Sequence, residues 1–275
     1  MSDQIYRMAF SFIKQESKAA ARLLEEMEPA EVAEFLTNAP HPLAQEVLRE
    51  MAPSACATVL LHAEISTAIL WLTELSNNHV CAVLRHLDKT RQQELLNQLP
   101  LKRRTACQLL LTYKDDMLGA WVETDVPVFP ADMSVEDALK RLKRKSFAED
   151  RLILVVDDER RPVATLSFTV LLRSTKAITL ESIAGPKPEL INGAMTLSTA
   201  LSHPVWQQQD VAAVVNRRRE LIGVIWYSEI RRLLSSHAQL LEPAHAPAAG
   251  AAQDLIQAYS DSMRGLLDVV GKGIG

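Results

Sequence analysis

Carboxylates crowd one stretch of this chain: Asp115, Asp116, Glu123, Asp125, Asp132, Glu136 and Asp137. Carboxylate oxygens are the ligands that hard divalent cations such as Mg²⁺ take, and acids that repel across two surfaces are drawn together when a cation bridges them. The competing reading is solvation and helix capping, because acids at helix starts complement the helix dipole. Ser134 and Asp137 have capping-box spacing ahead of a helix through Val135, Ala138, Leu139 and Leu142. No catalytic constellation accompanies the acids. Serines and histidines are scattered, the 9 glycines form no phosphate-cradling loop, and His79 with His86 lack a third zinc ligand, so no enzyme activity is expected. Arg217, Arg218 and Arg219 make a basic turn that suits a phosphate, an anionic partner surface, or plain solvation.

Composition narrows the class. At 275 residues, 48% hydrophobic and 23% charged, the chain is long enough for two domains with separate cores. A net charge of -4 argues against a nucleic-acid binder, which collects phosphates with a basic domain. Cys56, Cys81 and Cys107 show no Cys-x-x-Cys spacing and read as buried, reduced thiols. The amino terminus has no hydrophobic signal core, and no apolar run approaches the roughly 18 to 20 residues that cross a bilayer, so a cytoplasmic protein is expected.

The elements that must carry the acids are legible as periods. Leucine returns every twelve residues at Leu24, Leu36, Leu48, Leu60, Leu72, Leu84 and Leu96, each preceded by a bulky apolar residue: Leu23, Phe35, Val47, Val59, Trp71, Val83 and Leu95. Ala20, Val32, Ala44, Cys56, Ala68 and Val80 lie four places earlier, on the same face of a 3.6-residue helix. Pro29, Pro40, Pro42, Pro53, Ser54, Ser66, Thr67, Asn77, Asn78, Asp88 and Pro100 supply helix starts and caps, so each unit restarts a helix of about two turns. Such a unit cannot bury its own apolar face and must stack on its neighbours, which predicts a solenoid ending near Tyr113.

From Val122 the texture changes to strand, helix, strand, strand, helix, written twice. "VVDDERRPVATLSFTVLL" from Val155 and "VVNRRRELIGVIWYSEIRRLL" from Val214 superimpose, each with an apolar strand, a charged turn, a second strand and a short amphipathic helix. An Ala/Pro linker follows, and then a segment with Leu255, Ile256, Tyr259, Met263, Leu266, Leu267 and Val270 on one helical face and Asp254, Asp261 and Asp268 elsewhere, a pattern suited to docking.

The register of "EPAEVAEFL", "APSACATVLL" and "LPLKRRTACQLL", closing on "TYKDDMLGAWVETDVPVFP", resembles the cytoplasmic amino-terminal domain of MgtE-type magnesium transporters. In that family a Tyr-Pro-acid-acid-x-x-Gly segment joins the helical domain to paired CBS domains. Tyr113, Asp115, Asp116 and Gly119 match it, with Lys114 in place of the proline. Related short-helix superhelices occur in flagellar motor-switch proteins, and the βαββα repeat, which looks like tandem CBS domains, decides between the two.

The resemblance implies an α plus α/β fold: an all-α right-handed superhelix of short hairpins (1–117), a first CBS domain (118–182), a second (183–236), and an Ala/Pro linker with an amphipathic tail helix (237–275). It implies a cytosolic regulatory or accessory protein of magnesium transport, lacking the membrane bundle, that senses Mg²⁺ through movement of the helical domain against the CBS pair. A homodimer through the CBS domains is implied, and residues 254–270 could reach a separately encoded membrane transporter, placing the protein at the periphery of the inner membrane. CBS clefts often take an adenine nucleotide through a Gly-apolar-apolar-Ser/Thr-x-x-Asp strand end. Of that set the first copy keeps Ser167 but has Ala164 and Val170, and the second keeps Gly223 and Glu229 but has Trp226. The alternatives are a metal-independent CBS scaffold for protein partners and an adenine-nucleotide sensor.

Overall fold

A computed structural model describes residues 2–144 and 152–239, with side chains for 9–144 and 152–235. The linker and the tail at 254–270 lie outside the described residues. Two compact units divide within the ninth helix: Ser76–Asn78 and the chain from Thr105 belong to the second, and the preceding helices otherwise to the first.

The helical unit is built by the twelve-residue period. Its helices are α1 (Ser2–Gln15), α2 (Ser17–Glu25), α3 (Pro29–Asn38), α4 (His41–Glu50), α5 (Pro53–His62), α6 (Ile65–Glu74), α7 (Asn77–Arg85), α8 (Lys89–Gln98) and α9 (Leu101–Leu110), the last shared with the second unit. All seven periodic leucines and the seven bulky residues before them are buried. Helices pack mainly on the next but one, α2 on α4, α3 on α5, α4 on α6 and α6 on α8, so each unit lends its apolar face to neighbours on both sides.

Helix ends depart from the expected capping. Pro29 and Pro53 open α3 and α5, and Asp88 caps α8 by accepting from the Thr90 and Arg91 amides. Ser66 and Thr67, read as caps, instead lie inside the first turn of α6, whose N-cap is Glu64 without a side-chain bond. The helices run nearly a turn longer than expected. Carboxyl ends are satisfied by arginines twelve residues apart. Arg91 donates to the Leu60 and Ala63 carbonyls at 3.3 and 3.2 Å, and Arg103 does the same for Leu72, Thr73 and Leu75, placing a cation at each helix terminus where the dipole favours one. Gln92 stands where the pattern elsewhere has Ala, Val or Cys, and its buried amide donates to the Leu84 carbonyl at 2.9 Å. The three cysteines are buried without disulfides, and burial pushes the Cys56 thiol up to about 12.

In the second unit one βαββα copy comprises β1 (Val128–Pro130), α10 (Val135–Arg144), β2 (Ile153–Val156), β3 (Pro162–Leu166) and α11 (Phe168–Arg173). The other comprises β4 (Leu190–Asn192), α12 (Leu197–Leu201), β5 (Val211–Val215), β6 (Leu221–Trp226) and α13 (Tyr227–Gln239). Each forms a three-stranded sheet, β1-β2-β3 or β4-β5-β6, with the first pair parallel and the second antiparallel. The copies match in detail. The bulge between Val155 and Val156 recurs between Val214 and Val215, and the only non-glycine residues with positive φ among those described, Arg160 at 61° and Arg219 at 66°, occupy the same turn position.

Burial on both faces explains why β2 and β5 read as unbroken apolar runs. Ile153 and Val155 enter their own copy's core with Phe129, Val135, Ala138 and Leu171, whereas Leu154 and Val156 pack with Ala213, Leu221 and Val224 of the other copy. The copies also exchange edges. Glu123 pairs with Val224 of β6, and Gly185 donates to the Thr165 carbonyl of β3 at 2.9 Å.

Candidate functional site

The chain between α9 and β1 carries four of the seven candidate acids, and its main chain is bonded to the second copy. The Leu197 amide donates to the Asp116 carbonyl, Leu118 to Met195 and Gly119 to Gly193, each at 2.8 Å. Trp121 Nε1 donates to the Asp115 carbonyl at 2.7 Å, closing the loop from the other side. The Asp115 and Asp116 side chains lie on its exposed surface. Below them the Tyr113 ring packs on Gly119 and Gly193. Burial raises the Tyr113 phenol above the usual tyrosine value, and the nearby Arg217 guanidinium opposes the shift. The basic turn is thus a neighbour of the junction, a proximity the sequence alone does not disclose.

The other acids have separate duties. The Glu123 carboxylate accepts the Asp125 amide at 2.7 Å while its backbone pairs with β6. Asp132 is exposed. Ser134 and Asp137 form the expected cap: the Asp137 amide donates to Ser134 Oγ at 3.1 Å, and the Ser134 hydroxyl donates to Asp137 Oδ2 at 2.9 Å. Lys140 sits 3.0 Å from Glu136 and 3.6 Å from Asp137. Its ammonium is held above the ordinary lysine value, first by the hydrogen bond to Glu136 and then by the charges of both acids. Among the described residues no three His, Cys, Asp or Glu side chains converge on a metal-sized space. Asp115 and Asp116 are adjacent and exposed.

The residues singled out for a nucleotide also hold the fold. Ser167 Oγ caps α11 by accepting from the Val170 amide at 3.2 Å, and Glu229 pairs with Arg232 Nε at 2.9 Å and Nη2 at 2.5 Å. A Cβ on Gly223 would stand 2.3 Å from the Glu123 carbonyl oxygen, so the close approach of the 122–124 segment itself demands glycine.

Residues 15–116 match the family described as the MgtE intracellular N domain, and residues 118–175 match the CBS domain family. Comparison with curated proteins gives no match. Among solved structures, the soluble part of a magnesium transporter aligns at TM-score 0.58 and 16% identity, covering 86% of this chain and 100% of that one. The cytosolic domain of the Mg²⁺ channel MgtE in complex with ATP aligns at TM-score 0.54 and 19% identity, covering 85% and 100%. No helix among the described residues is long and apolar enough to cross a membrane. Residues 15–116 thus carry the match to the MgtE intracellular N domain, residues 118–175 follow it directly with the match to the CBS domain, and the chain shares the fold of those two soluble regions.

Proposed function

We propose that this protein is a cytosolic regulatory or accessory component of magnesium transport, without enzymatic activity, that senses Mg²⁺ through movement of its helical domain (1–117) against its CBS pair (118–182 and 183–236). The observation that carries the reading is the domain pair itself, a match to the MgtE intracellular N domain followed by a match to the CBS domain. The soluble part of a magnesium transporter, a protein named for the same ion, shares this fold. Asp115 and Asp116 are the favoured ligands because their carboxylates are exposed while their carbonyls are fixed by Trp121 and Leu197. The protein acts as a homodimer through its CBS domains, a reading supported by exposed apolar Val163, Phe168, Val170 and Leu172 on the first copy. Residues 254–270 dock on a separately encoded membrane transporter, holding the protein at the inner membrane.

A second reading, adenine-nucleotide sensing, is favoured by the solved MgtE cytosolic domain that holds ATP. Calorimetry of the intact chain separates the readings. MgCl₂ titrated at matched ionic strength gives a saturable isotherm, and Asp115→Asn/Asp116→Asn weakens it about tenfold or more, as expected when two charged ligands of a hard cation are neutralised. An unchanged affinity in that variant rejects the two aspartates as ligands. Saturation by ATP, ADP or AMP with no heat from Mg²⁺ transfers the role to nucleotide sensing, and no binding of either leaves a scaffold for protein partners.

A further inference from the structure

The pseudo-twofold repeat of the second unit supplies its own control for two glycines. On the second copy the incoming chain makes three backbone bonds: Leu118 N–H to Met195 O, Gly119 N–H to Gly193 O, and Leu197 N–H to Asp116 O, each 2.8 Å. The first copy makes the same three bonds 62 residues out of phase: Leu180 N–H to Met133 O at 2.9 Å, Glu181 N–H to Ala131 O at 3.0 Å, and Val135 N–H to Ile178 O at 3.0 Å. Glu181 and Ala131 thus stand where the second copy has Gly119 and Gly193. The bonding therefore does not require glycine, and no described glycine has a positive φ, so backbone freedom does not require it either.

What differs is Tyr113, whose counterpart at this phase is Thr175. A Cβ on Gly119 would stand 2.6 to 2.7 Å from Tyr113 Cδ1, Cε1 and Cγ, and one on Gly193 would stand 3.3 Å from Tyr113 Cε1. Carbon atoms in van der Waals contact stay at about 3.5 to 4.0 Å, so either side chain occupies space the ring now fills. Gly119 is thus the seat of the aromatic ring, and Gly193 borders it while also making room for Ile222, whose Cδ1 would stand 2.8 Å from a Cβ there.

We propose that Tyr113 is a latch: seating its ring on Gly119 and Gly193 ties the segment that leaves α9 to the second CBS copy, and unseating it releases that segment while the βαββα cores stay folded. Tyr113 is only half buried and Gly119 and Gly193 are small, so the contact is of the size that opens locally rather than with the whole unit. The latch goes beyond the sensing role: its parts are an aromatic ring and two glycines, none of them a proposed ligand, although the Asp116 carbonyl is among the acceptors it holds.

Amide hydrogen exchange on the intact chain, without metal or nucleotide, tests it. In Gly119→Ala, exchange at positions 118, 119 and 197 rises about tenfold, while Leu180, Glu181 and Val135 keep their wild-type rates. Tyr113→Ala produces the same pattern, Tyr113→Phe leaves it at wild type because the ring is retained, and the Tyr113→Ala/Gly119→Ala double variant exchanges no faster than either single one. Unchanged exchange in Gly119→Ala, equal acceleration in both copies, additive effects in the double variant, or a Phe variant that behaves like Ala would each overturn the latch. Because no cation is present, failure here leaves the magnesium reading untouched.

Discussion

Trp71→Ala lowers the stability of the helical unit by about 3 to 5 kcal/mol, the range for truncating a fully packed aromatic core residue. Trp71 is 2% exposed, and Ala68 and Leu72 on the same helix are fully buried. Its helix packs against α4 on one side and α8 on the other, so a cavity there loosens the stack in both directions. Leu70, one residue earlier and 51% exposed, supplies the contrast: Leu70→Ala changes stability by less than about 1 kcal/mol. Urea denaturation followed by circular dichroism measures both. Similar midpoints for the two variants would mean that the twelve-residue period does not define the core.

Gly223→Val is expected to cost about 3 kcal/mol or more in the second unit, through backbone displacement rather than cavity formation. The new Cβ would lie 2.3 Å from the Glu123 oxygen and 3.0 Å from its carbonyl carbon, and neither atom can rotate away. The 122–124 segment must then leave the edge of β6. That breaks Glu123 N–H to Val224 O at 2.8 Å and Val224 N–H to Glu123 O at 3.0 Å, and uncovers fully buried Val122. The first copy solves the same close approach from the opposite strand: Gly185 faces the Thr165 oxygen, leaving Ala164 tolerated at the position of Gly223. Thermal denaturation that leaves Gly223→Val at the wild-type midpoint would contradict this explanation of the glycine.

That glycine marks the boundary of what the sequence discloses. Read as part of a nucleotide motif, Gly223 is sufficiently explained by an approach between segments a hundred residues apart, which no local pattern encodes. Local periods, by contrast, are direct records of packing. The leucine ladder is buried at every position from Leu24 to Leu96 because a 3.6-residue period leaves only one face to cover. The βαββα order is legible for the same reason, with Val155 and Val214 aligned 59 residues apart.

Less visible is that the front half of each copy follows a different phase, 62 residues from Val128 to Leu190, because the first helix has 5 residues in the second copy against 10 in the first. Only that phase aligns Gly119 with Glu181 and Gly193 with Ala131, so the Tyr113 socket escapes a reading made on the rear halves. The acids illustrate a third limit. Their types are plain in the sequence, but that Glu136 and Asp137 answer to Lys140 and that the Glu123 carboxylate turns to its own chain is seen only in the structure.

Trypsin cleavage after Lys114, exposed beside those two aspartates, tests the central claim most directly. With the intact protein held at constant ionic strength while Mg²⁺ replaces Na⁺, the account predicts that cleavage slows progressively and saturably, and that Asp115→Asn/Asp116→Asn abolishes the protection. Cleavage at one rate across the whole Mg²⁺ series would contradict it.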